Sequence, residues 1–186
     1  VALPDFASVV ASNEISLLDL QAAFAAAVQA QGNASISGPQ GFGSDQWIPA
    51  DARLPYTAHF NNPSDATATA NEVRIVSVLD EGLSARSFRL GDLKVGGINV
   101  TIPADRASFQ GDFDLRQSLG FVLRVSAGID TTTRTASWVL QAIDPETGEV
   151  LQDATRGLLL PDTTQGRGTG FVSYTIEAAA GAATGT

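Results

Sequence analysis

Residues 120–145 read GFVLRVSAGIDTTTRTASWVLQAIDP, and this stretch decides the fold. Phe121, Leu123, Val125, Ala127 and Ile129 alternate with Val122, Arg124, Ser126 and Gly128. After the polar run Asp130-Thr131-Thr132-Thr133-Arg134, Ala136, Trp138, Leu140 and Ala142 alternate with Thr135, Ser137, Val139 and Gln141. Successive side chains of a strand point to opposite faces, so this alternation sets one apolar face on a core and leaves the other partly solvated. The stretch predicts an antiparallel hairpin with Trp138 in the core.

The same punctuation extends outward from the hairpin. On its N-terminal side, Phe109, Gly111, Phe113 and Leu115 alternate with Gln110, Asp112, Asp114 and Arg116. Before them, Ile98, Val100 and Ile102 follow Gly96-Gly97 and close at Pro103, and Phe88 to Val95 reads as a short strand. Glu72 to Leu79 is a β-branched strand ended by Asp80-Glu81-Gly82, while Tyr56, Ala58 and Phe60 precede the turn Asn61 to Asp65. On the C-terminal side come the turn Asp144 to Gly148, a long connection from Leu158 to Gly170, and a last strand from Phe171 to Ile176. The succession predicts an all-β chain, an immunoglobulin-like antiparallel β-sandwich of about 7–9 strands over residues 38–186.

Residues 1–37 read differently, as an N-terminal segment with an α-helix at about residues 16–31. Ser16 and Asp19 make a capping box, Leu17, Leu20, Phe24 and Val28 share a face, and Gly32 stops the helix. The helix is expected to pack on the sandwich, the alternatives being an oligomerisation helix or part of a preceding domain. Asn33 to Asp51 reads as a Gly-, Ser- and Pro-rich loop anchored by Phe42 and Trp47.

Composition bounds the function. A chain of 186 residues with 44% apolar and 17% charged residues is globular, and long enough for a proper core. Eleven basic residues against twenty acidic ones give −9, which argues against nucleic acid and anionic membranes as partners. The acidic balance suits solubility outside a cell, or cation binding. With no cysteine, disulfides, thiolate nucleophiles and Cys-type zinc sites are excluded, and the lean is towards a bacterial exported or a cytosolic protein. Methionine is absent even at position 1, the expectation being a processed chain or a piece of a longer one. No run is long enough for a transmembrane helix, and no basic-then-apolar signal peptide is read, as expected if one has already been removed.

Few residues carry a pattern of chemistry. His59, the only histidine, sits on the polar alternate of its strand with no nucleophile elbow in the chain, and reads as a surface or half-buried strand residue. Asp112 and Asp114 share a strand face, but nothing nearby separates their acidities as a glycosidase pair requires. Calcium is the stronger candidate, since oxygen ligands gather in loops at Asn61, Asn62 and Asp65, at Asp80 and Glu81, at Asp144, Glu146 and Glu149, and at Asp153 and Asp162. The leading ligand candidates are Asn62, Asp65, Asp80, Asp144 and Glu146, although turn chemistry alone also favours these residue types. Lys94 is the only lysine, with Asn99 close in sequence. An amide crosslink between them is weighed against a plainly solvated lysine, which is favoured because buried lysines are rare. Gly91, Gly96 and Gly97 read as turn glycines rather than a phosphate loop. Trp47, Phe42 and Tyr56 read as core anchors in preference to a sugar platform.

A succession of short motifs resembles a bacterial domain family that occurs in large secreted, repeat-rich surface proteins of adhesin type and has no assigned activity. It runs from Gly38-Pro39-Gln40-Gly41-Phe42-Gly43 and Trp47-Ile48 through Tyr56-Thr57-Ala58-His59-Phe60-Asn61 to Glu72-Val73-Arg74-Ile75 and Leu79-Asp80. Phe88 to Asp92, Asp114-Leu115-Arg116, Ile143 to Gly148 and Gly170 to Thr175 complete it. The resemblance implies a non-enzymatic extracellular structural or adhesive module of a bacterial surface protein. Its partners would be other domains of the same protein, other copies of itself, or surface glycans and proteins, with no nucleic acid and no membrane insertion. Similar domains continue past a Thr-Gly-Thr, here Thr184-Gly185-Thr186, into one more strand. A subunit lacking that strand would assemble by strand complementation, with Val1 to Val10 as a donor. A carbohydrate-binding module is the further alternative.

Overall fold

The computed structural model describes residues 34–41, 43–44, 48–49, 52–163 and 166–181. The helix predicted at about residues 16–31, the anchors Phe42 and Trp47, and the donor Val1 to Val10 lie outside the described residues. Among those described, nine strands form: β1 (Ala34–Ser37), β2 (Leu54–Asn61), β3 (Glu72–Val78), β4 (Leu83–Val95), β5 (Ile98–Val100), β6 (Ser108–Asp114), β7 (Val122–Asp130), β8 (Thr135–Ile143) and β9 (Thr169–Ala178). They build two antiparallel sheets, one ordered β1-β2-β9-β4-β5 and the other β3-β8-β7-β6. The described residues thus form an all-β sandwich. β3 lies beside β8 although two strands of the other sheet and then β6 and β7 intervene in sequence, which is a Greek-key order.

The hairpin forms as its alternation predicts. β7 and β8 pair from Val122↔Ile143 to Asp130↔Thr135. Phe121, Leu123, Val125, Ala136, Trp138, Leu140 and Ala142 are buried. Trp138, 1% exposed, meets Phe88 of β4 at 5.9 Å between ring centroids and Tyr174 of β9 at 5.7 Å. Phe88 and Tyr174 are themselves 5.2 Å apart, and Tyr56 of β2 stacks on Tyr174 at 5.4 Å. This aromatic cluster spans both sheets, and its Trp138 and Phe88 are the two largest fully buried side chains of the core.

Two elements depart from the pattern read in the sequence. Residues 33–51 read as a loop, yet β1 pairs with β2 from Ala34↔Phe60 to Ser37↔Thr57. All four residues of β1 are exposed; Ala34-Ser35-Ile36-Ser37 does alternate, but over only four residues of a Gly-, Ser- and Pro-rich stretch, and it is the pairing with β2 that makes the strand. β4 was expected over Phe88 to Val95 and instead runs thirteen residues from Leu83. Its register against β9 breaks between Ser84 and Arg89 and again between Leu90 and Leu93. Buried positions therefore fall three apart at Ala85 and Phe88 and again at Leu90 and Leu93. A bulge adds a residue and resets the face, which a strict period of two does not capture.

At one end of the sandwich Arg134 ties the hairpin to the β3–β4 turn. It takes the left-handed conformation, with φ 57°. Its guanidinium donates to the carbonyls of Leu79, Asp80 and Leu83, and its own carbonyl accepts from Leu79 N at 2.9 Å. Arg134→Ala leaves three carbonyls without that donor and is expected to cost about 1–2 kcal/mol, read as a lower urea midpoint. An unchanged midpoint would show that water replaces the guanidinium at no cost.

Candidate functional site

On the outer face of the five-stranded sheet, register gathers residues that sequence separation hides. Alternation turns Ala58, Val172 and Leu93 inward, so His59, Phe171 and Lys94 face outward. His59 pairs with Phe171, and Phe171 pairs with Lys94. Ser35 lies opposite His59, and Asn99 opposite Lys94. Five strands thus contribute one row: Ser35, His59, Phe171, Lys94 and Asn99. Asn61 and Thr169 form the adjacent row. A cleft of about 350 Å³ lies over these residues other than Asn99. The imidazole of His59 and the ring of Phe171 are 6.2 Å apart between centroids, tilted by 57°. The chain's single histidine and single lysine therefore flank one half-buried aromatic ring. Among the described residues Lys94 has no ion-pair partner.

The register also places Lys94 directly opposite Asn99. The pair lies on the outer face with Asn99 exposed, whereas a lysine–asparagine amide needs a desolvated lysine beside an acid. An intact mass with no loss of ammonia is the expected result.

The outer face of the four-stranded sheet has a different chemistry. Asp112 receives two hydrogen bonds from Arg124 on the neighbouring strand, both 3.0 Å. Asp114 is gripped by Arg116 through Nε at 2.9 Å and Nη2 at 2.6 Å. Hydrogen bonds from the Arg116 side chain, then from its amide, hold the Asp114 carboxyl down at about 2. The Arg124 hydrogen bond lowers Asp112. Backbone amides lower Asp130, from Thr132 and Thr133, and Asp153, from Thr155. Two carboxylates both held ionised lack the protonated partner that general acid catalysis needs. A second cleft of about 350 Å³ on this face runs past Val76, Ser108, Gly128 and Ser137; small side chains line most of it, with Asp130 as its one charged group.

These depressed acidities fix the sign of an acid response. A carboxylate whose folded pKa lies below its unfolded value stabilises the fold above the unfolded value and loses that contribution as pH falls through the folded one. The melting temperature should therefore fall as pH drops from 3.8 towards about 2. The Asp112→Asn, Asp114→Asn double variant should show a shallower fall. The effect is modest because both pairs are solvent-exposed, and identical profiles for the two proteins would remove these pairs from the acid response.

The proposed calcium ligands are spread over separate turns. Asn62 donates its amide to the carbonyls of Ala68 and Leu159, both at 3.0 Å, and so staples the β2–β3 connection. Asp65 lies in that same connection. Asp80 accepts from Gly82 N at 2.7 Å in the β3–β4 turn. Asp144 accepts from Glu146 N at 2.8 Å in the turn after β8. Asn62, Asp65, Asp144 and Glu146 lie towards one end of the sandwich and Asp80 at the other, since β3 joins the two ends. Turn hydrogen bonds account for Asn62, Asp80 and Asp144. Among the described residues no three His, Cys, Asp or Glu side chains gather where one metal ion would reach them.

No family model, no curated protein and no solved structure matches the chain. The functional reading therefore rests on the fold, the row over Phe171 and the residues themselves.

Proposed function

We propose that the chain is an immunoglobulin-like module of a bacterial extracellular surface protein, with a structural or adhesive role rather than a catalytic one. The observation that carries this reading is where the ionisable groups go. Arg124, Arg116 and Arg134 and the aspartates 112, 114, 130 and 153 all serve ladders, turns or strand ends. Among the described residues the greatest concentration of uncommitted chemistry is a shallow, open row on a sheet face, suited to contact rather than turnover. The succession of motifs shared with adhesin-type domains points the same way. Antibodies raised against the folded chain should label intact cells of the organism that encodes it. Labelling confined to permeabilised cells would overturn the extracellular reading.

A second reading, assembly between copies by strand addition, is favoured by the character of one sheet edge. β3 carries Glu72 and Arg74, and β6 carries Asp112 and Asp114; charges of this kind discourage pairing at an edge. β5 is also uncharged but only three residues long, whereas β1 carries no charge over four and Ile36 within it is 58% exposed. An added strand would therefore enter at β1. Light scattering should show a mass above the monomer that Ile36→Lys abolishes, whereas a monomer at high concentration removes this reading.

A further inference from the structure

We propose that the cleft over Phe171 binds a single acidic sugar residue, a hexuronic acid at the end of a glycan. This rests on the adhesive reading and supplies the ligand chemistry for it. The Phe171 ring offers a surface for the C–H face of a pyranose, as aromatic side chains do for apolar and partly apolar groups. Lys94 and His59 stand on the strands either side, two strand spacings or about 10 Å apart. That separation spans one sugar ring laid on Phe171. The cleft's 350 Å³ lies at the small end of ligand sites, which again fits one or two rings.

Charge selects the acid. Lys94 is a compact cation with no ion-pair partner among the described residues, in a chain of net charge −9. A carboxylate on the sugar satisfies it through a charge-assisted hydrogen bond. The nearest acid along the same strand, Asp92, directs Oδ1 to the amide of Ile102 at 3.1 Å. The hydroxyls of Ser35 and Thr169 border the cleft and can meet sugar hydroxyls; Thr169 Oγ1 donates to Gly166 O at 3.0 Å and remains able to accept. A long polyanion is disfavoured, because the chain as a whole carries −9 and would repel it.

The test compares methyl β-D-glucuronide with methyl β-D-glucoside by titration calorimetry on the full chain. The two probes share a ring and differ only in the carboxylate. The glucuronide should bind about tenfold more tightly, the order expected of one charge-assisted hydrogen bond. Lys94→Gln should abolish the preference without moving the melting temperature, and Lys94→Arg should keep it. Phe171→Thr, which preserves strand propensity, should weaken both ligands. Equal affinities, a preference that survives Lys94→Gln, or no binding of either probe at tens of millimolar each overturns the assignment. Surface labelling of intact cells decides the adhesive reading separately, so failure of the sugar site and failure of the module reading remain distinct.

Discussion

Trp138→Ala is expected to lower the unfolding free energy by about 3–5 kcal/mol, a large share of the roughly 5–15 kcal/mol that holds a typical domain together. The indole is fully enclosed and touches the Phe88 and Tyr174 rings, so its loss opens a cavity between the sheets that neither can collapse to fill. Its Nε1–H is buried without an acceptor. Trp138→Phe removes that unpaired donor along with part of the volume, so it should cost clearly less than alanine, with Trp138→Leu between them. Urea unfolding followed by circular dichroism gives the order. A phenylalanine variant as unstable as the alanine one would mean that the indole makes a polar contact after all.

Gly170→Ala is the second large effect, although it adds only a methyl group. Gly170 lies on β9 between β2 and β4, and a Cβ there would sit 2.4 Å from Phe60 Cε2 and 2.5 Å from the Lys94 carbonyl oxygen. Overpacking of this kind costs about 1–3 kcal/mol, here towards the upper limit because one obstacle is backbone. Phe60→Leu can relieve the ring clash but not the carbonyl clash. The Phe60→Leu, Gly170→Ala double variant should therefore recover part of the loss and no more. Full recovery would show that β4 shifts freely, and no recovery that the ring is not in the way.

These two sites show how much of the molecule was legible in its sequence. Trp138 could be placed in the core because nine residues on each side of a turn repeat the strand period without interruption. Tyr56, Phe109, Phe113 and Tyr174 lie in strands whose alternation is equally plain. β1 was not legible, because the alternation of Ala34 and Ile36 with Ser35 and Ser37 spans only four residues inside a Gly-, Ser- and Pro-rich stretch. The first half of β4 was hidden by the register break between Ser84 and Arg89, which places the buried Ala85 and Phe88 three apart. The row over Phe171 was hidden for another reason. His59 was read correctly as the polar alternate of a strand, and Lys94 as part of another. Their approach depends on β9, which arrives last among the described strands and inserts between β2 and β4. Pairing across a sheet is set by tertiary packing, and periodicity within a strand does not encode it. The one available signal was that the chain's only lysine and only histidine both sit within strand patterns.

Everything proposed for the outer face depends on β9 lying between β2 and β4 in the observed register. A chain without cysteine allows a clean disulfide scan, since directly opposed strand residues have the Cα separation a disulfide needs. The pairs His59→Cys with Phe171→Cys, and Phe171→Cys with Lys94→Cys, should each crosslink on mild oxidation and leave the melting temperature the same or higher. His59→Cys with Lys94→Cys, two strands apart, should remain reduced. Crosslinking of that last pair with failure of the first two would place β2 directly beside β4 and contradict the site.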